Sequence, residues 1–188
     1  MLLPGLLNTD RSNAVLRRYL ARLGYDAHGW GLGRNAGART IGPDGERLIE
    51  RVAALAARAG PVTLIGVSLG GMIARLVAHR RPELVREVIT IASPYAGPGR
   101  ATNVWRAFEW ATGERLDDPA VVARAALIAR DPPVPATAIW SRYDGLVAGA
   151  ICRDEGTRSI EVRSGHLGVQ IRPAVLLTVA RVLAGKEL

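Results

Sequence analysis

Apolar and polar positions alternate along this chain with two different periods. Residues 62–67, 88–92 and 137–140 are short, nearly continuous runs of aliphatic and β-branched side chains bounded by turn residues, the pattern of strands buried on both faces. Between them the apolar residues recur at helical spacing, as in Leu16, Leu20 and Leu23, in Leu48, Val52 and Leu55, and in Leu69, Met72, Ile73, Leu76 and Val77. A last such stripe is formed by Leu176, Val179, Val182 and Leu183. Residues 1–3 read as the end of a strand, 25–30 as a second strand, and 159–163 as a final, edge-like strand because its residues alternate.

The punctuation agrees with the periods. Asn8, Thr9 and Asp10 supply capping side chains ahead of the first helix, and Gly24 closes it. A helix over 46–59, with Asp44 as a cap before it, is stopped by Gly60-Pro61. Asp118-Pro119 opens another that continues to about residue 130, and Pro173 opens the last. Strands alternating with amphipathic helices predict an α/β fold: three layers, with a doubly wound, mostly parallel sheet of about six strands and helices on both faces. One domain over 1–188 is expected. Its rhythm breaks only at about 95–117, where Ala96-Gly97-Pro98-Gly99 is followed by Trp105, Phe108 and Trp110, three of the chain's nine aromatic residues. That excursion reads either as a lid or pocket wall or as a peripheral helix docked by its aromatics.

Composition narrows the function classes. A single cysteine, Cys152, excludes an internal disulfide and any multi-cysteine metal site, and reads as a small buried hydrophobe. The net charge of +8 comes from arginines scattered among acids, with no basic run longer than two, so nucleic-acid binding is not expected. No apolar stretch has the length of a membrane span, and the N-terminus lacks a charged region leading into a hydrophobic segment and cleavage site. The expected compartment is therefore the cytoplasm, without stable membrane insertion. A glycine-rich loop covers 29–37, but a dinucleotide fingerprint needs a helix opening on its last glycine, whereas 40–45 intervene here. This loop reads as structural or site-lining.

Gly66-Val67-Ser68-Leu69-Gly70 lies where the run 62–67 gives way to a helical pattern. Strand, sharp turn and helix around Gly-x-Ser-x-Gly make a nucleophile elbow, in which the glycines let strand and helix backbones nearly touch. An ordinary turn with an N-capping serine is the alternative. Loops that follow parallel strands gather at one sheet edge, so Ser68, Asp144 and His166 converge there although 76 and 22 residues separate them. Of three histidines, His28 lies in a strand before the elbow and His79 sits roughly 15 Å along the elbow helix, leaving His166 on a glycine-flanked loop. Asp10, Asp44 and Asp118 read as caps and Asp131 is at the wrong end of its strand, leaving Asp144. A turn aspartate and a surface histidine are the plainer readings of this pair.

With the order serine, acid, histidine, and with Ser141-x-x-Asp144 and Gly165-His166-x-Gly168 near the end, the chain resembles the α/β-hydrolase fold family, in particular the minimal bacterial serine lipases and esterases. The likeness spans essentially the whole chain. The family's leading strand pair is absent, and residues preceding Met1 are a matching expectation. The resemblance implies an esterase or lipase-like serine hydrolase acting on small-molecule acyl esters, with Ser68, His166 and Asp144 as triad and with no cofactor or metal. It further implies an oxyanion hole from the Leu6 and Leu69 amides, where Pro4-Gly5 replaces the commoner His-Gly. Trp30, Trp105, Phe108, Tyr143, Leu146 and Leu167 are expected to line the pocket, because they lie on or beside these loops. A thioesterase, amidase or peptidase shares the triad, and a catalytically silent scaffold of the same fold is the non-enzymatic alternative.

Overall fold

The three apolar runs become the three inner strands of a five-stranded, wholly parallel sheet in the computed structural model, which describes residues 1–186. In sheet order these are β1 (Leu2–Leu3), β2 (Val62–Val67), β3 (Val85–Ile91), β4 (Ala136–Trp140) and β5 (Arg158–Glu161), each paired with the next. β2, β3 and β4 are hydrogen-bonded on both sides and covered on both faces, which is why they lack polar alternation. β5 is the edge; its exposed Arg158 and Glu161 discourage pairing with another strand.

Seven α-helices accompany the sheet among the described residues: α1 (Ala14–Arg22), α2 (Ala38–Ile41), α3 (Glu46–Ala59), α4 (Leu69–Arg80), α5 (Trp105–Thr112), α6 (Pro119–Ala129) and α7 (Pro173–Leu183). Successive strand residues point to opposite faces, so β1 sends Leu2 into one core and Leu3 into the other. The first core joins Ile65, Val67, Ile89 and Ile91 to Leu16 and Leu20 of α1 and to Val175 and Val179 of α7. The second joins Leu64 and Val88 to Leu48 and Val52 of α3 and to Ile73 and Val77 of α4. Truncating any of these fully buried leucines or isoleucines to alanine should destabilise the fold by about 2–5 kcal/mol.

Two sequence expectations change. Residues 25–30 do not form a sixth strand: they touch the sheet by one parallel bridge, Leu2 to Gly29, with the Leu2 amide donating to the His28 carbonyl at 2.8 Å. The ladder stops because the Asp10 carboxylate takes the Trp30 and Gly31 amides, at 2.9 and 3.0 Å. Asp10 is thus a tie to the glycine-rich loop and not a helix cap; α1 starts at Asn13 without any side-chain cap bond. Likewise Asp44 pairs with Arg80 while Gly45 caps α3, whereas Asp118 does stand at the N-cap of α6 ahead of Pro119. The short helix α2 lies in the stretch read as irregular.

The chain passes outside β1 at residue 29 and then returns to β2 on its other side. Strand order therefore reverses between β1 and β2, the place where open parallel sheets form a crevice at their carboxyl ends. No helix among the described residues is long and apolar enough to cross a membrane.

Candidate active site

Ser68 stands at the end of β2 with φ +51° and ψ −120°, a conformation few side chains adopt. Holding it there costs about 1–3 kcal/mol, so the surroundings must enforce it. They do so from both sides: the Ser68 amide donates to Ile91 O of β3 at 2.8 Å, and the Ser68 carbonyl accepts the amides of Gly71 and Met72 at the start of α4. The turn closes only because two residues lack side chains. A Cβ on Gly66 would overlap the Gly70 carbonyl, and one on Gly70 would lie 2.5 Å from Leu3 O. Ser68 is thereby pushed out of the sheet edge into the crevice between β1 and β2.

His166 and Asp144 arrive on the loops after β5 and β4. His166 Nε2 lies 3.2 Å from Ser68 Oγ, and His166 Nδ1 lies 2.8 Å from Asp144 Oδ2. A carboxylate oxygen can only accept, so Nδ1 donates to Asp144 and Nε2 keeps its lone pair toward the serine hydroxyl. The other Asp144 oxygen accepts the amides of Leu146 and Val147, at 3.1 and 2.7 Å. These bonds fix the carboxylate within its own turn. The two loops are also tied directly. Ser141 Oγ accepts both the Tyr143 and the Ser164 amides, and the His166 amide donates to Asp144 O at 3.1 Å.

Leu6 and Leu69 line the same cavity as the serine. Leu69 is the first residue of α4, so the positive end of that helix dipole faces the crevice. Gly5 brings the loop after β1 close over the elbow, where its Cβ position is 3.5 Å from Ser68 Cβ. Neither the Leu6 nor the Leu69 amide donates to a protein acceptor among the described residues.

Above Ser68 opens a cavity of about 410 Å³, with a predominantly apolar wall that includes Leu6, Ile41, Met72, Leu76, Trp105 and Phe108. α6 closes its far side with Val121, Ala125 and Ile128. A buried arginine holds that wall in place: Arg75 of α4 donates from Nε to Ile128 O and from Nη2 to Arg130 O, both at 2.7 Å, and stacks on Tyr95. A cation against the last carbonyls of α6 is favoured by that helix's dipole.

Trp105 and Phe108 line the cavity, but the other four expected lining residues do not. Trp30 is 0% exposed in the core beside α3, where its indole donates to Gly33 O. Tyr143 and Leu167, 55% and 78% exposed, point to solvent, and Leu146 contributes its amide to Asp144 while its side chain stays outside the cavity. Lying next to Ser68, Asp144 or His166 in the chain does not aim a side chain into the cavity. Conversely, sequence reasoning passed over Ser141 and Arg75. Ser141 stood in plain view as the first residue of Ser-x-x-Asp, while a lone arginine inside an apolar helix stripe was the available signal for Arg75.

Residues 46–130, which contain the elbow, match the family model described as alpha/beta hydrolase fold. Solved structures agree over nearly the whole chain. The chain has the α/β-hydrolase fold. A pyrethroid hydrolase is 17% identical, with 97% of this chain and 96% of that one covered and a TM-score of 0.65. The Bacillus licheniformis lipase BlEst2 is 13% identical over 97% and 89%, with a TM-score of 0.67. A putative non-heme bromoperoxidase, BpoC from Mycobacterium tuberculosis H37Rv, is 17% identical over 100% and 92%, with a TM-score of 0.66. No curated protein gives a significant sequence match. At such identities the α/β-hydrolase fold is what these structures share with the chain.

Proposed function

We propose that this protein is a serine hydrolase that cleaves carboxylic esters of apolar acyl groups through an acyl-enzyme. The observation that carries this reading is the continuous relay from a strained serine to Nε2, and from Nδ1 to a buried carboxylate, at the floor of an apolar cavity. A neutral hydroxyl attacks an ester poorly. His166 Nε2 takes the Ser68 proton as Oγ attacks the acyl carbon, and Asp144 stabilises the imidazolium and keeps the ring in register. Negative charge on the former carbonyl oxygen falls between the Leu6 and Leu69 amides, whose donors are not used among the described residues. The tetrahedral species then collapses. Its alkoxide leaves with the proton from Nε2, and the acyl group remains on Oγ. Water repeats the sequence: Nε2 takes its proton, the acid is released, and Ser68 is reprotonated.

The esterase and lipase relatives among similar folds support the choice of an ester, and the cavity supports an apolar acyl chain. A thioester or amide would meet the same three groups. The test is labelling with a fluorophosphonate, read by intact mass, of the wild type beside Ser68→Ala and His166→Ala. One adduct on the wild type and none on Ser68→Ala is expected, followed by release of p-nitrophenol from acyl esters faster than turnover of acyl-thioesters. A folded wild type that takes no label and releases no p-nitrophenol would overturn the reading and favour a silent scaffold.

A further inference from the structure

The loop after β1 carries the Leu6 amide, yet β1 itself has only two residues to hold it. What fixes the loop comes from elsewhere in the chain. Asn35, in the glycine-rich stretch before α2, is 0% exposed and makes four hydrogen bonds. Its side-chain Nδ2 donates to Pro4 O at 2.7 Å, and its amide donates to Asn8 O at 2.8 Å. Its carbonyl accepts the Leu7 amide at 2.7 Å, and its Oδ1 accepts the Gly37 amide at 3.1 Å. Three of these bonds reach the loop 4–8, on either side of Leu6. Leu7 is one of three non-glycine residues with positive φ, at +58°, so this loop is held in a conformation that it would leave if released.

We infer that Asn35 is the positioning residue of the oxyanion hole, a clasp that aims the Leu6 amide at the oxygen of the tetrahedral intermediate. The inference rests on the serine-hydrolase reading above. Its physical basis is the bracket itself. The Leu6 peptide runs between a carbonyl gripped by the Asn35 side chain and an amide gripped by the Asn35 main chain. Pro4 O also faces the elbow, where a Cβ on Gly70 would lie 2.7 Å from it, so this grip sets loop and elbow in register. The remaining side-chain bond, Oδ1 to the Gly37 amide, locks the Asn35 rotamer and holds Gly37, a residue of the cavity wall. Asparagine is needed because the site demands one donor and one acceptor on a short, uncharged, fully buried side chain. Aspartate has the same shape, keeps the acceptor for Gly37 and cannot donate to Pro4 O.

The test compares wild type, Ser68→Ala and Asn35→Asp on a p-nitrophenyl ester, with kcat expressed per site titrated by the fluorophosphonate so that unfolded protein does not count. For Asn35→Asp a ten- to hundredfold fall in kcat is expected, with KM within about twofold. Stability loss alone would lower the number of titrated sites and leave kcat per site intact. If Asn35→Asp yields no folded protein, Asn35→Ala, which removes the donor to Pro4 O without burying a charge, carries the same comparison. Wild-type kcat per titrated site in the folded variant overturns the inference. If the wild type is itself inactive, or equals Ser68→Ala, the serine-hydrolase reading fails instead.

Discussion

Two segments flank the same cavity and are built on opposite plans. The loop 4–8 sits over the elbow and is gripped from beneath by the fully buried Asn35, almost entirely through main-chain groups. The excursion that carries α5 covers the other side and is fastened at its ends. At its start Thr102 bridges to Val147, and Asn103 bonds the carbonyls of Gly145 and Leu146. At its finish Glu114 pairs with Arg124, and Arg39 reaches Ala111 O. Between those fastenings Trp110 is 76% exposed. The lesson is physical: groups that meet charge in a transition state need placement within fractions of an ångström, and buried main-chain bonds give it. A wall that meets only hydrocarbon needs the right volume, and a segment held at its ends supplies that.

The largest effect should come from the rigid side. In Asp144→Asn, Oδ1 can still accept the Leu146 and Val147 amides, so the turn survives, but the new amide donates to His166 Nδ1 and forces the proton onto Nε2. Nε2 then faces Ser68 with a hydrogen and not a lone pair. A fall in kcat of about 10⁴-fold with an unchanged melting midpoint is expected. Steady-state rates of the purified variant check this, and a loss under tenfold would mean that the carboxylate does not set the tautomer.

How much of this contrast could be read from the residues follows the same division. The elbow was legible because Gly66, Ser68 and Gly70 are demanded by local geometry, and the convergence of Ser68, Asp144 and His166 followed from parallel-sheet topology alone. The helices α3, α6 and α7 were legible from their period and from the prolines and glycine that bound them, within a residue or two at their ends. What failed was long-range and side-chain-specific. Nothing local announces that Asp10 takes two amides twenty residues away, so 25–30 looked like a strand. Trp30 looked like a pocket residue from its address in the chain, but the direction of one Cα–Cβ bond sends it into the core. Asn35 was hidden for a related reason. Its bonds run to a loop about thirty residues earlier, and in sequence it is one polar residue among glycines.

On the looser side the predicted effects are smaller and depend on the substrate. Phe108 and Trp105 present half-buried rings to the cavity from α5. Removing one such ring forfeits part of the burial of a long acyl chain, about 0.8–1.5 kcal/mol where about half of a 1.5–3 kcal/mol contact is lost. That converts to about a four- to twelvefold drop in kcat/KM for a p-nitrophenyl octanoate on Phe108→Ala, while the acetate, too short to reach α5, should stay within twofold. A chain-length series measures it. An equal drop for acetate and octanoate would show that α5 supports the triad and not the acyl chain, which would erase the contrast between the two segments.

The smallest effect is expected at Cys152, which ends the short turn Gly149–Cys152 that follows the acid loop and tests whether that loop is as closed as its bonds suggest. Burial, and then the nearby Asp144 charge, push its thiol from an ordinary 9.0 up to about 12. At pH 8 the reactive thiolate is therefore scarce and covered. Native protein should react with a thiol reagent over a thousandfold more slowly than denatured protein, with enzymatic rate unaffected. The sign of the linked stability follows. Below pH 9 the thiol keeps its proton whether folded or not and imposes no pH dependence. Above it only the unfolded chain ionises, so stability should decline from there until the folded thiol ionises near 12. Releasing the far end of the excursion by Glu114→Gln should leave the labelling rate where it was, because that fastening is at the finish of the excursion, whereas the acid loop is tied to its start. Fast labelling of Cys152 in that variant would mean that the excursion and the acid loop open together.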